Sequence, residues 1–229
     1  MTVRHVVKLG GSLLSRVDWP LHLSRWLESH RDEQILLMVG GGKVIDAIRE
    51  IDARASLPVD QVHWRCVQLL DATFDIVRWT MPDLKTLDQP SNWEPFVDEP
   101  KLRGVWLIRV AAYYVPDVSR DANRAEPETP KNEPRRIRSR LPHDWRTTTD
   151  AIAVAMAADA AADRVTLLKS CDPGPNAIVK RSDPSESGDP LQSSPTVIDH
   201  WRACGWIDEA TPAIAQHFGG TIQLERLPD

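Results

Sequence analysis

Apolar runs in this chain stop repeatedly at glycine. Val6-Val7-Lys8-Leu9 runs into Gly10-Gly11-Ser12, and Leu36-Leu37-Met38-Val39 runs into Gly40-Gly41-Gly42. Short apolar runs bounded by turn residues read as buried strands, and helical spacing follows each of these turns. Behind the first, Leu21, Leu23, Trp26 and Leu27 share one helical face, and a polar stretch over 28–34 leads into the second strand. Behind the triple glycine, Val44, Ile45, Ala47, Ile48 and Ile51 recur at helical spacing until Ser56-Leu57-Pro58, where proline makes continuation costly. A further helix is predicted from about residue 58 or 59 to 81, turning Val62, Leu69, Leu70, Phe74 and Val77 inward. Residues 105–110 read as a third strand, whose unbroken apolar character suits a sheet covered on both faces.

The second half alternates order with polar sequence. From 117 to about 141 the chain is rich in Pro, Glu, Arg, Asn and Ser with little to bury, and reads as a flexible surface insertion; 181–195 reads the same way. Arg135, Arg136, Arg138 and Arg140 in the first insertion read as a solvated charge run, with phosphate contact as the alternative. Between the insertions, Thr147-Thr148-Thr149-Asp150 offers capping oxygens ahead of an alanine-rich helix over 151–162. A short buried strand over 165–169 follows and ends in Lys169, after which Ser170-Cys171-Asp172-Pro173-Gly174 turns away. A helix-like region over 201–206 and a last strand over 221–224 complete the pattern. Strands linked by helices favour a mainly parallel central sheet in a three-layer αβα sandwich. All of 1–229 is expected to form one α/β domain.

Composition narrows the function classes. The 229 residues carry a formal net charge of −5, against the basic surface a general nucleic-acid binder needs. Cys66, Cys171 and Cys204 are odd in number and lack a CxxC pair, so neither a disulfide framework nor a zinc-cysteine site is indicated. No apolar run reaches the roughly 20 residues of a membrane span, and no signal-peptide core precedes the first strand. The expected setting is the cytoplasm, with no membrane or nucleic acid as partner. Nine tryptophans have no assignable chemistry and are expected in the core or in subunit contacts.

The candidate chemistry sits at the glycine turns. Glycine lets backbone approach a phosphate closely, and N–H groups at a following helix start point toward negative charge. Lys8 adds a cation on the strand beside the first turn, an expensive position unless an anion uses it. In open α/β sheets, ligands collect at the carboxyl edge, where Lys169 and the turn after it also lie. Gly10-Gly11-Ser12 lacks the GxGxxG spacing of a nicotinamide site, and Gly42-Lys43-Val44 lacks that of a P-loop. Taken alone, Asp150 reads equally as a first-turn carboxylate matched to the helix dipole, Lys169 as a strand-end lysine facing water, and His63 as an ordinary helix histidine.

Lys8-Leu9-Gly10-Gly11-Ser12, Gly40-Gly41-Gly42, Thr149-Asp150 before an alanine-rich helix, and the strand ending in Lys169 together resemble the amino acid kinase superfamily. The resemblance spans nearly the whole chain outside the two insertions. His63-Trp64 and Leu141-Pro142-His143-Asp144-Trp145 look most similar to its archaeal-type aminomethylfuran phosphate kinase branch. The resemblance implies the amino acid kinase fold, ATP and Mg2+ as cofactors, transfer of the γ-phosphoryl group to a small-molecule phosphate or carboxylate acceptor, and a homo-oligomer. It implies that Lys8, Asp150 and Lys169 are catalytic, the lysines bridging the transferred group and Asp150 orienting them or helping hold magnesium. Gly10, Gly11, Ser12, Lys8, Lys169, Ser170, Asp172 and Gly174 would hold the nucleotide. Gly40, Gly41, Gly42, His63, Thr149 and Asp150 would hold the acceptor. Relatives usually carry an Asp-Gly turn where Asp172-Pro173-Gly174 inserts proline, and that departure supports a second reading: a non-catalytic nucleotide or phosphate binder acting as a sensor or assembly subunit.

Overall fold

The structure, a computed structural model, describes residues 2–116, 136–172, 178–180 and 197–228. Among these, seven strands form one sheet in the order β3-β4-β2-β1-β5-β7-β6. They are β1 (Arg4–Leu9), β2 (Gln34–Val39), β3 (Lys85–Leu87), β4 (Gly104–Ile108), β5 (Arg164–Lys169), β6 (Ile178–Lys180) and β7 (Thr221–Arg226). Every neighbouring pair is parallel except β6 with β7. β1 sits in the middle, with β2 on one side and β5 on the other, so connections diverge in opposite directions from its carboxyl end. Such a switch point opens a crevice between the outgoing turns.

The helices are α1 (Trp19–Ser29), α2 (Lys43–Ala55), α3 (Val59–Thr80), α4 (Pro90–Asp98), α5 (Val110–Tyr113), α6 (Thr149–Asp159), α7 (Val197–Ala203) and α8 (Thr211–Ala215). They cover both faces of the sheet, as the three-layer expectation requires. On one face Val6, Leu36, Met38, Val165 and Leu167 pack beneath α6, which is buried along nearly its whole length. On the other, Val7, Leu9, Ile35, Leu37 and Val39 meet Trp19, Leu23 and Trp26 of α1 and Phe74 and Val77 of α3. Trp19, Trp26, Trp93, Trp106 and Trp201 are core residues, whereas Trp79 is 73% exposed.

Several elements depart from their predicted form. β4 stops at Ile108 because Val110 turns into α5, where its side chain is buried among Trp93, Tyr113 and Leu141. β3 and α4 lie where no element was expected; β3 has three residues, two of them exposed, and α4 carries prolines at 90 and 95. α2 runs as predicted, yet none of its residues is buried, and Leu21 of α1 is 52% exposed. α6 starts at Thr149 and ends at Asp159, where Ala161 adopts a left-handed φ of 46°. The expected flexible insertion is ordered at its carboxyl end: Ile137–Arg140 form a 3-10 turn and Leu141 is 3% exposed. Asp159 Oδ1 accepts the Ile137 N–H at 2.7 Å and Oδ2 the Arg138 N–H at 3.2 Å. Arg136 and Arg138 are paired with Glu94, so neither is directed at a phosphate site. Residues 117–135, 181–195 and Gly174 lie outside the described residues.

Candidate functional site

Strand register delivers two lysines to one place. On β1, Lys8 shares a face with Val6; on β5, Lys169 shares a face with Leu167; both faces look toward α6. Leu9 pairs with Leu168, so Lys169 stands one step beyond the end of β1. Between the ammonium groups lies Asp150, the second residue of α6: Lys8 Nζ is 2.8 Å from Oδ1, and Lys169 Nζ donates to Oδ2 at 2.7 Å. Lys8 is 7% exposed and Asp150 5%. Burial alone would raise the Asp150 carboxyl, but Lys169 and then Lys8 outweigh it and bring the group down to about 2. Burial holds Lys8 below the usual lysine range, opposed by Asp150 and reinforced by the neighbouring Lys169 charge. Two lysines thus converge on one carboxylate, with the Asp208 carboxylate acting on Lys8 from farther off.

The start of α6 is fastened from a distance. Thr148 caps the helix, its hydroxyl accepting the Asp150 N–H at 3.4 Å. That hydroxyl and the Thr148 N–H both donate to Asp208 Oδ2 at 2.7 Å, joined by the Ala151 N–H at 3.1 Å. Asp208 Oδ1 meanwhile accepts the N–H and hydroxyl of Thr211 at 2.8 and 2.6 Å, tying α8 to the same carboxylate. Burial pushes the Asp208 carboxyl up, and the nearby Asp150 adds to this. Asp208 is therefore a positioning residue for Asp150.

In front of the lysines, the two glycine turns interlock. A Cβ at Gly11 would overlap the Gly42 nitrogen and the Gly40 carbonyl, and Gly42 has a φ of 51°, so larger residues fit at neither position. A cavity of about 250 Å³ opens between the turns. Lys8, Lys169, Gly10, Gly11, Ser12, Gly40, Gly41, Gly42, His63 and Thr149 all line it. Asp150 sits behind the lysines. Ser170 bridges to the first turn, with its hydroxyl 3.3 Å from that of Ser12, whereas Asp172 is exposed and does not line the cavity. The amino ends of α2 and α6 also border the cavity, and both helix dipoles favour an anion there.

The far wall is apolar and aromatic. Ile45, Val59, Val62, Val67, Leu70 and Ile152 line it, and Ile45 of α2 also packs against the core. Trp145 donates to Asp52 at 2.6 Å and lies beneath the Arg49 guanidinium, 4.9 Å from its ring centre. His63 stacks on His143 with centroids 5.3 Å apart, and its Nε2 lies 3.0 Å from the Tyr114 hydroxyl. Burial, with the adjacent His143, lowers the His63 imidazole to about 4, so the ring is neutral at pH 7. Its approach to an anion would be that of a hydrogen-bonding ring rather than a cation.

Asp208 and Tyr114 escaped the sequence reading, which gave Thr147 only as a capping oxygen. Thr147 is 7% exposed and lines the cavity, and its hydroxyl has no hydrogen-bond partner. A buried hydroxyl facing an open cavity is suited to a ligand contact. Asp208 carries a local signal, an Asp-x-x-Thr helix start, but its reach to α6 is tertiary and left no trace in spacing.

No protein-family model matches the chain, and no curated protein does. Solved structures do. UMP kinase from Ureaplasma parvum superposes with a TM-score of 0.59 at 12% identity over 100% of this chain and 92% of its own. Uridylate kinase from Archaeoglobus fulgidus gives 0.55 at 16% identity over 97% and 91%. Aspartate kinase from Synechocystis gives 0.57 at 12% identity, with 98% of this chain covering 38% of that longer one. The chain has the amino acid kinase fold. Among the described residues, no helix is long and apolar enough to cross a membrane.

Proposed function

We propose that this protein is a kinase transferring the γ-phosphoryl group of ATP to a small acceptor, within the amino acid kinase superfamily. The observation that carries the reading is the convergence of Lys8 and Lys169 on Asp150 at the floor of a cavity bounded by two glycine turns. The fold shared with UMP and aspartate kinases supports it. Nucleotide phosphates would rest against Gly10, Gly11 and Ser12, and the acceptor against Gly40, Gly41, Gly42 and Thr149. During transfer the bond from the γ-phosphorus to the β,γ-bridging oxygen breaks as one forms to an acceptor oxygen. Charge spreads over the equatorial oxygens, and two fixed ammonium groups neutralise it without reorganising. An anionic acceptor oxygen needs no base.

Magnesium supplies further charge neutralisation when it accompanies ATP. Asp150 Oδ2 accepts from Lys169, while the buried Oδ1 lies 2.8 Å from Lys8 Nζ without a hydrogen bond, so the carboxylate orients the lysines and Oδ1 could also help hold magnesium. The apolar and aromatic far wall favours a compact acceptor with an unsaturated or ring-bearing body. A phosphate monoester such as aminomethylfuran phosphate fits that description, and a carboxylate would use the same cations. The test incubates purified protein with ATP, magnesium and a panel of phosphate monoesters and carboxylates while ADP release is followed. Acceptor-dependent ADP is expected. Nucleotide binding in calorimetry with no turnover on any acceptor would favour the sensor reading.

A further inference from the structure

The opposite edge of the sheet carries a second cluster of chemistry that phosphoryl transfer does not use. His5 lies near the start of β1, Glu33 immediately precedes β2, and His30 ends α1. One ligand atom from each, two imidazole nitrogens and a carboxylate oxygen, lie within 4.8 Å of one another. We propose that His5, His30 and Glu33 form a binding site for a zinc-like divalent metal, clipping the end of α1 to the central strands.

Surrounding contacts prepare each group for a metal. The His30 Nδ1–H donates to the Trp26 carbonyl at 2.8 Å, so the lone pair of the neutral ring is on Nε2. Trp26 stacks on that ring with centroids 4.0 Å apart and interplanar angle 24°, fixing its plane. His5 Nε2 meets the Thr166 hydroxyl at 2.8 Å, and Nδ1 faces Glu33 Oε2 at 2.8 Å. Glu33 Oε1 is held by Arg164, leaving Oε2 on the His5 side. Metal-binding histidines generally have their second nitrogen held by an oxygen, and ligating carboxylates are themselves hydrogen-bonded. All three groups have those supports.

Metal on Nδ1 shifts the His5 ring proton to Nε2, where Thr166 accepts it, since a hydroxyl both donates and accepts. Two imidazoles and a carboxylate make a borderline donor set suited to zinc, with a fourth position for water. Tetrahedral ligands stand about 3.3 Å apart, so closure needs a movement of at most about 1.5 Å in any pair. His30 and Glu33, in the turn between α1 and β2, can supply it.

The experiment titrates untagged, EDTA-stripped full-length protein with zinc in the presence of excess magnesium, and repeats the titration with cobalt(II). Wild type is expected to hold one equivalent of zinc that raises its melting temperature, and to give the intense visible absorption of low-symmetry cobalt. His30→Ala and Glu33→Gln, checked by circular dichroism, should each weaken zinc at least about 10-fold. His217→Ala, at an exposed position, should not. The proposal is overturned if wild type holds no zinc, or if zinc persists in His30→Ala and is lost instead from His143→Ala. Because the readout is metal binding, it stands apart from the kinase reading.

Discussion

At the residue scale, the Lys8–Asp150–Lys169 group makes the sharpest demand. Replacing Lys8 with Ala removes one of the two cations facing the cavity while Lys169 keeps Asp150 paired. Turnover should therefore fall by roughly 10² or more, as expected for loss of a preorganised transition-state donor. Steady-state ADP release by the variant, with its fold confirmed by circular dichroism, checks this. A loss below about threefold would remove Lys8 from the chemistry. His63 gives a prediction in pH instead. Its folded value of about 4 lies below the 6.5 of an unperturbed histidine, so between those values the unfolded chain binds more protons than the folded one. The stability this group contributes is complete above pH 6.5 and is lost as pH falls toward 4. Urea denaturation across that interval should show wild type losing stability faster than His63→Asn.

At the scale of elements, α6 is held where it is by a side chain from another part of the chain. Asp208 accepts five hydrogen bonds across two helix starts. Asp208→Ala would orphan the donors at the amino end of α6, a cost of roughly 2 kcal/mol or more on capping and hydrogen-bond magnitudes. Thermal denaturation should register that loss, and kcat should drop because Asp150 moves with the helix. The variant Asp208→Asn keeps the shape and part of the accepting capacity, so it should lie between. This also marks what sequence can and cannot reveal. The glycine turns and strand-end lysines were legible because backbone approach to an anion constrains residue type locally. Asp208, Tyr114 and the cavity-facing hydroxyl of Thr147 were not, because their roles depend on what the fold brings opposite them. β3 and α4 were hidden for another reason: a mostly exposed three-residue strand has little hydrophobic pattern, and prolines at 90 and 95 look like breakers, although Pro90 suits a helix start. The helical spacing of α2, by contrast, was legible, and its Ile45 lines the cavity.

On the scale of the whole molecule, the sheet separates two kinds of chemistry by the length of its strands. The carboxyl edge gathers lysines, glycine turns and the amino ends of α2 and α6, all favouring an anion. The amino edge gathers His5, His30 and Glu33 around the first residues of β1 and the approach to β2. Anion binding at the carboxyl edge draws on β1, β5, α2 and α6 together, elements that span both sides of the switch point. A nucleotide bound there should stabilise the folded state as a unit. At a concentration 100 times its dissociation constant, a ligand specific for the folded form adds about 2.7 kcal/mol. Magnesium ATP should accordingly raise the melting temperature of wild type by several degrees. Gly11→Ala, which forces the two turns apart, should shift little with ATP even where its own fold survives. The two variants of the amino-edge cluster, His30→Ala and Glu33→Gln, should keep the full ATP shift while losing the one produced by zinc. An ATP shift that survives Gly11→Ala unchanged would mean that the nucleotide binds away from the interlocked turns, and the geometry assigned to this cavity would have to be abandoned.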